Sequence, residues 1–369
     1  MMIWFINSVT LTILCIFCAG VVIPQILLIA FRKKLFDTPD ERKIHQGSVP
    51  RLGGIAFKPV MFFSIAILAG ANILLGHYEI AVEFQKNATT LFFCYAAIQL
   101  LYLIGMADDL VGVRYRAKFV VQILCGILLV AGGIWVNDLH GVLWLHRIPT
   151  WIGYPLTILL VVFIINAINL IDGIDGLASG LCGIACLCFG IIFFTIHQYI
   201  FAIIAFASFG VLIPFFYYNV FGNPKKHKKI FMGDTGSLTI GIVLCMLSIK
   251  LVTCDSQFAE FSINPMVLAF SPLLIPCCDV IRVYLHRVRN GNNPFLPDKN
   301  HIHHKLLAIG MKQRTAMITI VAVSVIFTLL NTFLAYLKIN VNIIFACDIT
   351  IWTIANIMLT KLKNYIKKL

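Results

Sequence analysis

Asp108 and Asp109 stand side by side in "GMADDL", at the end of an apolar run, in a chain with only 16 acidic residues among 369. Two carboxylates this close disfavour joint ionisation unless a cation or a proton separates them. A divalent metal bridged to substrate phosphates is one such arrangement, since Mg²⁺ takes one or two protein carboxylates and completes its sphere with phosphate oxygens and water. A solvated acid pair ending a helix beside Arg114 and Arg116 is the other.

"NAINLIDGIDGLASG" sets Asn166, Asn169 and Asp172 three residues apart, on one helical face. Asp175 follows among glycines that let the backbone turn sharply and approach a ligand. Amides with carboxylates suit a sugar or a polar heterocycle beside a metal, and the spacing does not fit an EF-hand loop. A plain polar turn would leave two Asn and two Asp unexplained in so apolar a chain. In "FMGDTGS", Ser237 reads as the N-cap of a helix whose free N–H groups and positive dipole end favour phosphate. Asp234, just before it, is placed to hold a metal bridging that phosphate.

"DKNHIHHKLL" gathers His301, His303 and His304. Their spacing is tight for zinc. Hydrogen bonding to a pyrophosphate, with Arg287, Arg289, Lys299 and Lys305 adding charge, is one reading; a basic amphipathic segment on anionic lipid is the other. "DERKIHQGSVPRLGG" adds Arg42, Lys43 and His45 as substrate contacts on a glycine-terminated loop. Asp279, in "IPCCDVIRVY", is an acid inside an apolar run, either functional by that position or simply paired with Arg282 three residues on.

These motifs need a frame, and the composition gives one. Sixty per cent of the residues are hydrophobic and 12 % charged, where soluble domains carry about a quarter charged. About eleven apolar runs, the first near residues 5–31 and the last near 342–360, are long enough to cross a bilayer. The expected fold is therefore all-α, a polytopic integral membrane protein forming one domain over 1–369. All but four of the 29 Lys and Arg fall in loops on one side, the exceptions being Lys86, Arg147, Lys250 and Lys338. That places the N-terminus outside and the C-terminus in the cytoplasm. Every polar motif above then faces the cytoplasm, at the membrane surface. The twelve cysteines lie mostly inside apolar runs without metal spacing and read as small packing residues. A transporter would spread ionisable groups through the bilayer or break helices near its midplane; here they share one face. Carboxylates for a hard cation, a helix N-terminus and basic residues at that face suit phosphoryl transfer between a nucleotide and a lipid phosphate.

The five motifs, which span residues 37 to 304 along the chain beginning with "DTPDERKIHQGSVPRLGG", resemble in their order the polyprenyl-phosphate N-acetylhexosamine-1-phosphate transferases, glycosyltransferase family 4. The resemblance implies attack by undecaprenyl phosphate on a UDP-N-acetylhexosamine, with Mg²⁺ or Mn²⁺ as cofactor, releasing UMP in the bacterial cytoplasmic membrane. It implies a metal-binding role for Asp234, helped by Asp108, and catalytic roles for Asp108, Asp109, Asp172, Asp175, His301, His303 and His304. Asn166 and Asn169 would bind substrate, and Asn219 in "FYYN" would sit at the uridine. "HIHHKLL" is similar to the WecA/TagO-like branch, which favours UDP-GlcNAc and the priming of O-antigen, enterobacterial common antigen or teichoic acid. The muramoyl-pentapeptide branch, whose histidine motif continues with an aromatic and Glu, is the alternative. Expected partners are the two substrates and anionic membrane lipids, with a homodimer admitted and no nucleic acid.

Overall fold

The structure, a computed structural model, describes residues 1–35, 49–254, 263–291 and 300–366. Arg42, Lys43 and His45 lie outside the described residues.

The chain folds into helices, and the described residues contain no strand beyond an isolated bridge between Asp138 and Arg147. In order these are α1 (Met2–Arg32), α2 (Phe57–Leu74, preceded by a 3₁₀ turn over Gly53–Ala56), α3 (Glu79–Lys86), α4 (Ala88–Val111) and α5 (Tyr115–Ala131). Then come α6 (Thr150–Ile171), α7 (Leu177–Thr195), α8 (Tyr199–Val220) and α9 (Gly233–Val252). After these, α10 (Pro265–Phe270) runs through a 3₁₀ turn (Ser271–Leu273) into α11 (Leu274–Arg289). The short α12 (Ile302–Ala308), α13 (Gln313–Tyr336) and α14 (Val341–Ile366) complete the described fold.

Ten helical segments among the described residues, of 19 to 31 residues, are long and apolar enough to cross a membrane. The remaining expected span is α5, whose 17 residues rise about 25 Å, short of the roughly 30 Å hydrocarbon core, and it is not among these ten. The protein is a multi-pass, all-α membrane protein. The cysteines are free thiols, as packing residues should be.

Helix α9 is the pole of the bundle. Every residue from Thr235 to Ile249 is buried, as a helix apolar on all sides requires. Its neighbours include α4, α6, α7 and α8. Between apolar helices in lipid, association rests on close packing rather than on expulsion of water, and small residues permit it. A Cβ on Gly54 would come within 2.0 Å of the Gly236 backbone nitrogen, and one on Gly105 within 2.6 Å of Thr235 Cα. Glycine at these points lets the 3₁₀ turn, α4 and the start of α9 touch backbone to backbone. The segment before the 3₁₀ turn is locked to the same place: Gly53 and Gly54 donate to the carbonyls of Phe231 and Met232, and Phe231 donates to that of Pro50.

Candidate active site

Four elements reach this glycine-packed end of α9. Its first turn begins at Gly233 with φ +71°, where a side chain would collide with the Arg51 carbonyl at 2.2 Å; only glycine tolerates both conditions. The helix thus starts five residues earlier than "FMGDTGS" suggests, with Met232 rather than Ser237 at the N-cap position. Ser237 is not its N-cap: it lies inside the helix, donating its hydroxyl to the Gly233 carbonyl at 3.1 Å. The free N–H groups expected there are also partly taken. Asp109, from the end of α4, accepts from the Asp234 N–H at 2.8 Å through Oδ1. Through Oδ2 it accepts from the Thr235 N–H at 2.9 Å and the Thr235 hydroxyl at 2.6 Å. The cap of α9 is a carboxylate from another helix, placed where the dipole favours it.

The neighbouring acid points elsewhere. Asp108 accepts the Val113 N–H on Oδ1 at 2.7 Å, while Lys118 reaches its Oδ2 at 3.1 Å. The same Lys118 ammonium lies 2.7 Å from Asp234 Oδ2. On the other side of Asp234, Asn169 donates to Oδ1 at 3.2 Å and to the Ser237 hydroxyl at 2.8 Å. Two carboxylates from α4 and α9 therefore converge on one cation, and that cation is Lys118 of α5 rather than Arg114 or Arg116. No three of His, Cys, Asp and Glu cluster in metal-binding geometry among the described residues. The carboxylate pair of Asp108 and Asp234 is still of the sort that holds Mg²⁺ when substrate phosphates supply the other oxygens. One helical turn deeper, Asn166 does not reach this centre; it donates to Gln122 at 2.7 Å and to the Val162 carbonyl at 2.7 Å.

The "DGIDG" loop joins α6 to α7 beside this centre. Asp172, at the C-terminal end of α6, has an exposed side chain yet is ringed by protein atoms. That desolvation first, then the charge of Asp234, pushes its carboxyl up to about 7, against the pull of Arg51. Asp175 is ion-paired to Lys229. Asn219 is buried and spans two backbones, accepting from the Gly176 N–H at 2.6 Å and donating to the Ile230 carbonyl at 2.8 Å. It fastens the loop to the segment leading into α9.

The histidine motif opens α12. His301 Nδ1 lies 2.8 Å from Asp279 Oδ2, and Asp279 Oδ1 accepts from the Ile302 N–H at 3.0 Å and from Arg282 at 2.7 Å. Asp279 is thus both ion-paired and linked to the motif. His303 is buried and, among the described residues, has no hydrogen-bond partner on either ring nitrogen. Burial first, then His304 and His301, pushes its pKa down to about 3. Its ring fills the space that a side chain on Gly173 would need, with Nε2 2.1 Å from such a Cβ. The histidine motif and the "DGIDG" loop are therefore in contact.

The chain matches Glycosyl transferase family 4 over residues 91–252. It is 30 % identical over 299 residues to the undecaprenyl-phosphate alpha-N-acetylglucosaminyl 1-phosphate transferase of Yersinia pestis, across 79 % of this chain and 74 % of that protein. The chain belongs to glycosyl transferase family 4. A second relative, the probable undecaprenyl-phosphate N-acetylglucosaminyl 1-phosphate transferase of Bacillus subtilis (strain 168), is 29 % identical over 310 residues, 84 % of this chain and 80 % of its own. The Escherichia coli (strain K12) undecaprenyl-phosphate alpha-N-acetylglucosaminyl 1-phosphate transferase is 29 % identical over 299 residues, 79 % and 74 % respectively. The stretch matched to the family holds the acid pair, the "DGIDG" loop, Asn219 and Asp234, whereas His301–His304 lie beyond it. In this family member the residues that the motifs alone did not disclose are Lys118, Gln122, Lys229 and Thr235. Each is an unremarked Lys, Gln or Thr in sequence and gains its place only from helices packed against one another.

Proposed function

We propose that this protein transfers N-acetylglucosamine 1-phosphate from UDP-N-acetylglucosamine to undecaprenyl phosphate, giving N-acetylglucosaminyl-diphospho-undecaprenol and UMP. The meeting of Asp108 and Asp234 at one cation, with Asn169 on the far oxygen, carries the reading. The activity named for the relatives from Yersinia pestis and Escherichia coli supports it. An oxygen of the lipid phosphate attacks the β-phosphorus of the nucleotide sugar. The new P–O bond forms as the bond from that phosphorus to the bridging oxygen breaks, and UMP leaves with the electron pair. Such transfers depend mainly on positioning and on neutralising charge.

The residues present divide these tasks. Asp234 and Asp108 would hold Mg²⁺, or Mn²⁺ in its place, and when bound the ion would offset the charge of the phosphates. Asn169 fixes the Asp234 carboxylate. The loop carrying Asp172 and Asp175 offers the nucleotide side, and His301, His303 and His304 offer donors to the pyrophosphate. We place the protein in the bacterial inner membrane with this site toward the cytosol, because the lysines and arginines gather at the same end as the site. The product would prime a cell-surface polysaccharide.

The test is UMP release by purified protein given undecaprenyl phosphate and UDP-N-acetylglucosamine, with Mg²⁺ or with EDTA. Metal-dependent UMP and sugar-diphospholipid together are expected. Turnover only with another UDP-sugar would change the donor, and silence with every UDP-sugar in folded protein would overturn the reading.

A further inference from the structure

A groove of about 620 Å³ runs between α11 and α14, away from the acid centre. Ile281, Leu285 and Trp352 make its apolar length, while Arg282, Arg289, Lys305 and Lys361 line its polar end. No acidic residue lines it among the described residues. The α11 face that it uses differs from the buried face of Asp279, Val283 and Arg287.

Lys305 is the decisive residue. It is 6 % exposed, and its ammonium donates to Thr360 Oγ1 at 2.9 Å, Asn356 Oδ1 at 3.2 Å and the Asn356 carbonyl at 3.4 Å. All three acceptors are neutral. Burial accordingly pulls its pKa down to about 8. A cation withdrawn from water gains most from a counter-charge, and no carboxylate among the described residues lies at hydrogen-bond distance from it.

We propose that this groove binds an acidic phospholipid of the surrounding bilayer, its phosphate against Arg282, Arg289 and Lys361 within the field of the Lys305 charge, and an acyl chain along Ile281, Leu285 and Trp352. Basic pockets between membrane helices recognise anionic headgroups, and the apolar length has no use for a soluble anion. Both flanking helices belong to membrane-spanning segments, so the occupant arrives sideways from the lipid. Arg282 also holds Asp279 at 2.7 Å, so the bound phosphate would share a guanidinium with the support of His301. The inference goes beyond the transferase reading and does not rest on it.

The experiment uses full-length protein in phosphatidylcholine nanodiscs doped with brominated phosphatidylglycerol or, in parallel, brominated phosphatidylcholine. The emission of Trp352 is isolated by subtraction of a Trp352→Phe variant. Stronger quenching by phosphatidylglycerol at equal mole fraction is expected. The preference should fall roughly fivefold for each charge removed in Arg289→Gln and Lys361→Gln. It should persist in the Lys225→Gln, Lys226→Gln double variant, which tests general surface charge. Equal quenching by the two lipids, or a preference unchanged by the groove variants, would overturn the proposal. Displacement of phosphatidylglycerol by stoichiometric undecaprenyl phosphate would also overturn it, assigning the groove to a polyprenyl phosphate.

Discussion

Asp109 and Thr235 are joined twice through a single oxygen: Oδ2 accepts both the backbone N–H and the side-chain hydroxyl of Thr235. Together with the bond from the Asp234 N–H, this makes Asp109 the clamp between α4 and α9, while its neighbour Asp108 faces the cation. The adjacent acids thus have separate tasks. Asp109→Asn turns one acceptor into a donor that, even with the amide nitrogen in place of Oδ1, opposes the Asp234 N–H, and a buried group so deprived costs about 1–3 kcal/mol. It should lower the unfolding temperature in detergent, whereas Asp108→Asn should leave that temperature near wild type and abolish turnover. Equal thermal effects would show that the division is wrong.

Lys118 sits where Asp108 and Asp234 would share a divalent ion. Lys118→Met leaves two carboxylates facing each other without a counter-charge. Differential scanning fluorimetry should therefore show a lower melting point without metal, and a larger rise on adding Mg²⁺ than in wild type. If Mg²⁺ moves neither protein, Asp108 and Asp234 are not the metal site.

Asp279 holds His301 by Nδ1, and the partner of one ring nitrogen decides which nitrogen carries the proton. Asp279→Asn weakens that control and should cut kcat roughly 5- to 150-fold, the rate equivalent of about 1–3 kcal/mol, with little change in KM for UDP-N-acetylglucosamine. A change confined to KM would instead assign Asp279 to packing.

His303 contributes to stability in a definite pH window. Its folded pKa is about 3 against about 6.5 in an unfolded chain. The unfolded chain therefore binds the extra proton between those values, and the contribution is complete above about pH 6.5 and is lost as pH falls toward 3. Between pH 7.5 and pH 5 the loss is about 2 kcal/mol. Thermal melts of His303→Leu over that range should fall less steeply than those of the wild type; parallel curves would mean that His303 titrates freely.

Gly173 and His303 occupy one another's space. Gly173→Ala should impair turnover by displacing the ring, and His303→Ala should impair it by removing the ring. Because both changes act on one contact, the double variant should be less impaired than the product of the two, as coupled sites are. Multiplicative losses measured by UMP release would separate them.

How far the sequence discloses this arrangement depends on the range of the interaction. Membrane helices are legible because twenty consecutive apolar residues are a local property; the expected span at α5 instead folds as a helix of only 17 residues, outside the ten long enough to cross. The polar motifs are legible because acids are scarce in such a chain. The start of α9 is not. Ser237 before an apolar run carries the ordinary mark of an N-cap, but the actual cap comes from Asp109, more than a hundred residues earlier in the chain. Asn219 is similar: the resemblance suggests a uridine contact, and only the folded chain reveals that Gly176 and Ile230 already use its amide. Asp279 is visible as an acid in a span, but its tie to His301 requires α11 and α12 to be packed.

The burial of α9 also sets how the chain can vary. A helix with one flank on lipid accepts nearly any oily residue along that flank, because acyl chains conform to whatever shape they meet. From Thr235 to Ile249 there is no such flank; each side chain faces a fixed protein neighbour around the whole circumference. Random substitution should therefore be tolerated in one-sided stripes on α1 and α14 and almost nowhere around α9. As neighbouring helices tilt to match a thicker or thinner bilayer, the rod carrying Asp234 is left mechanically insulated from the membrane it crosses.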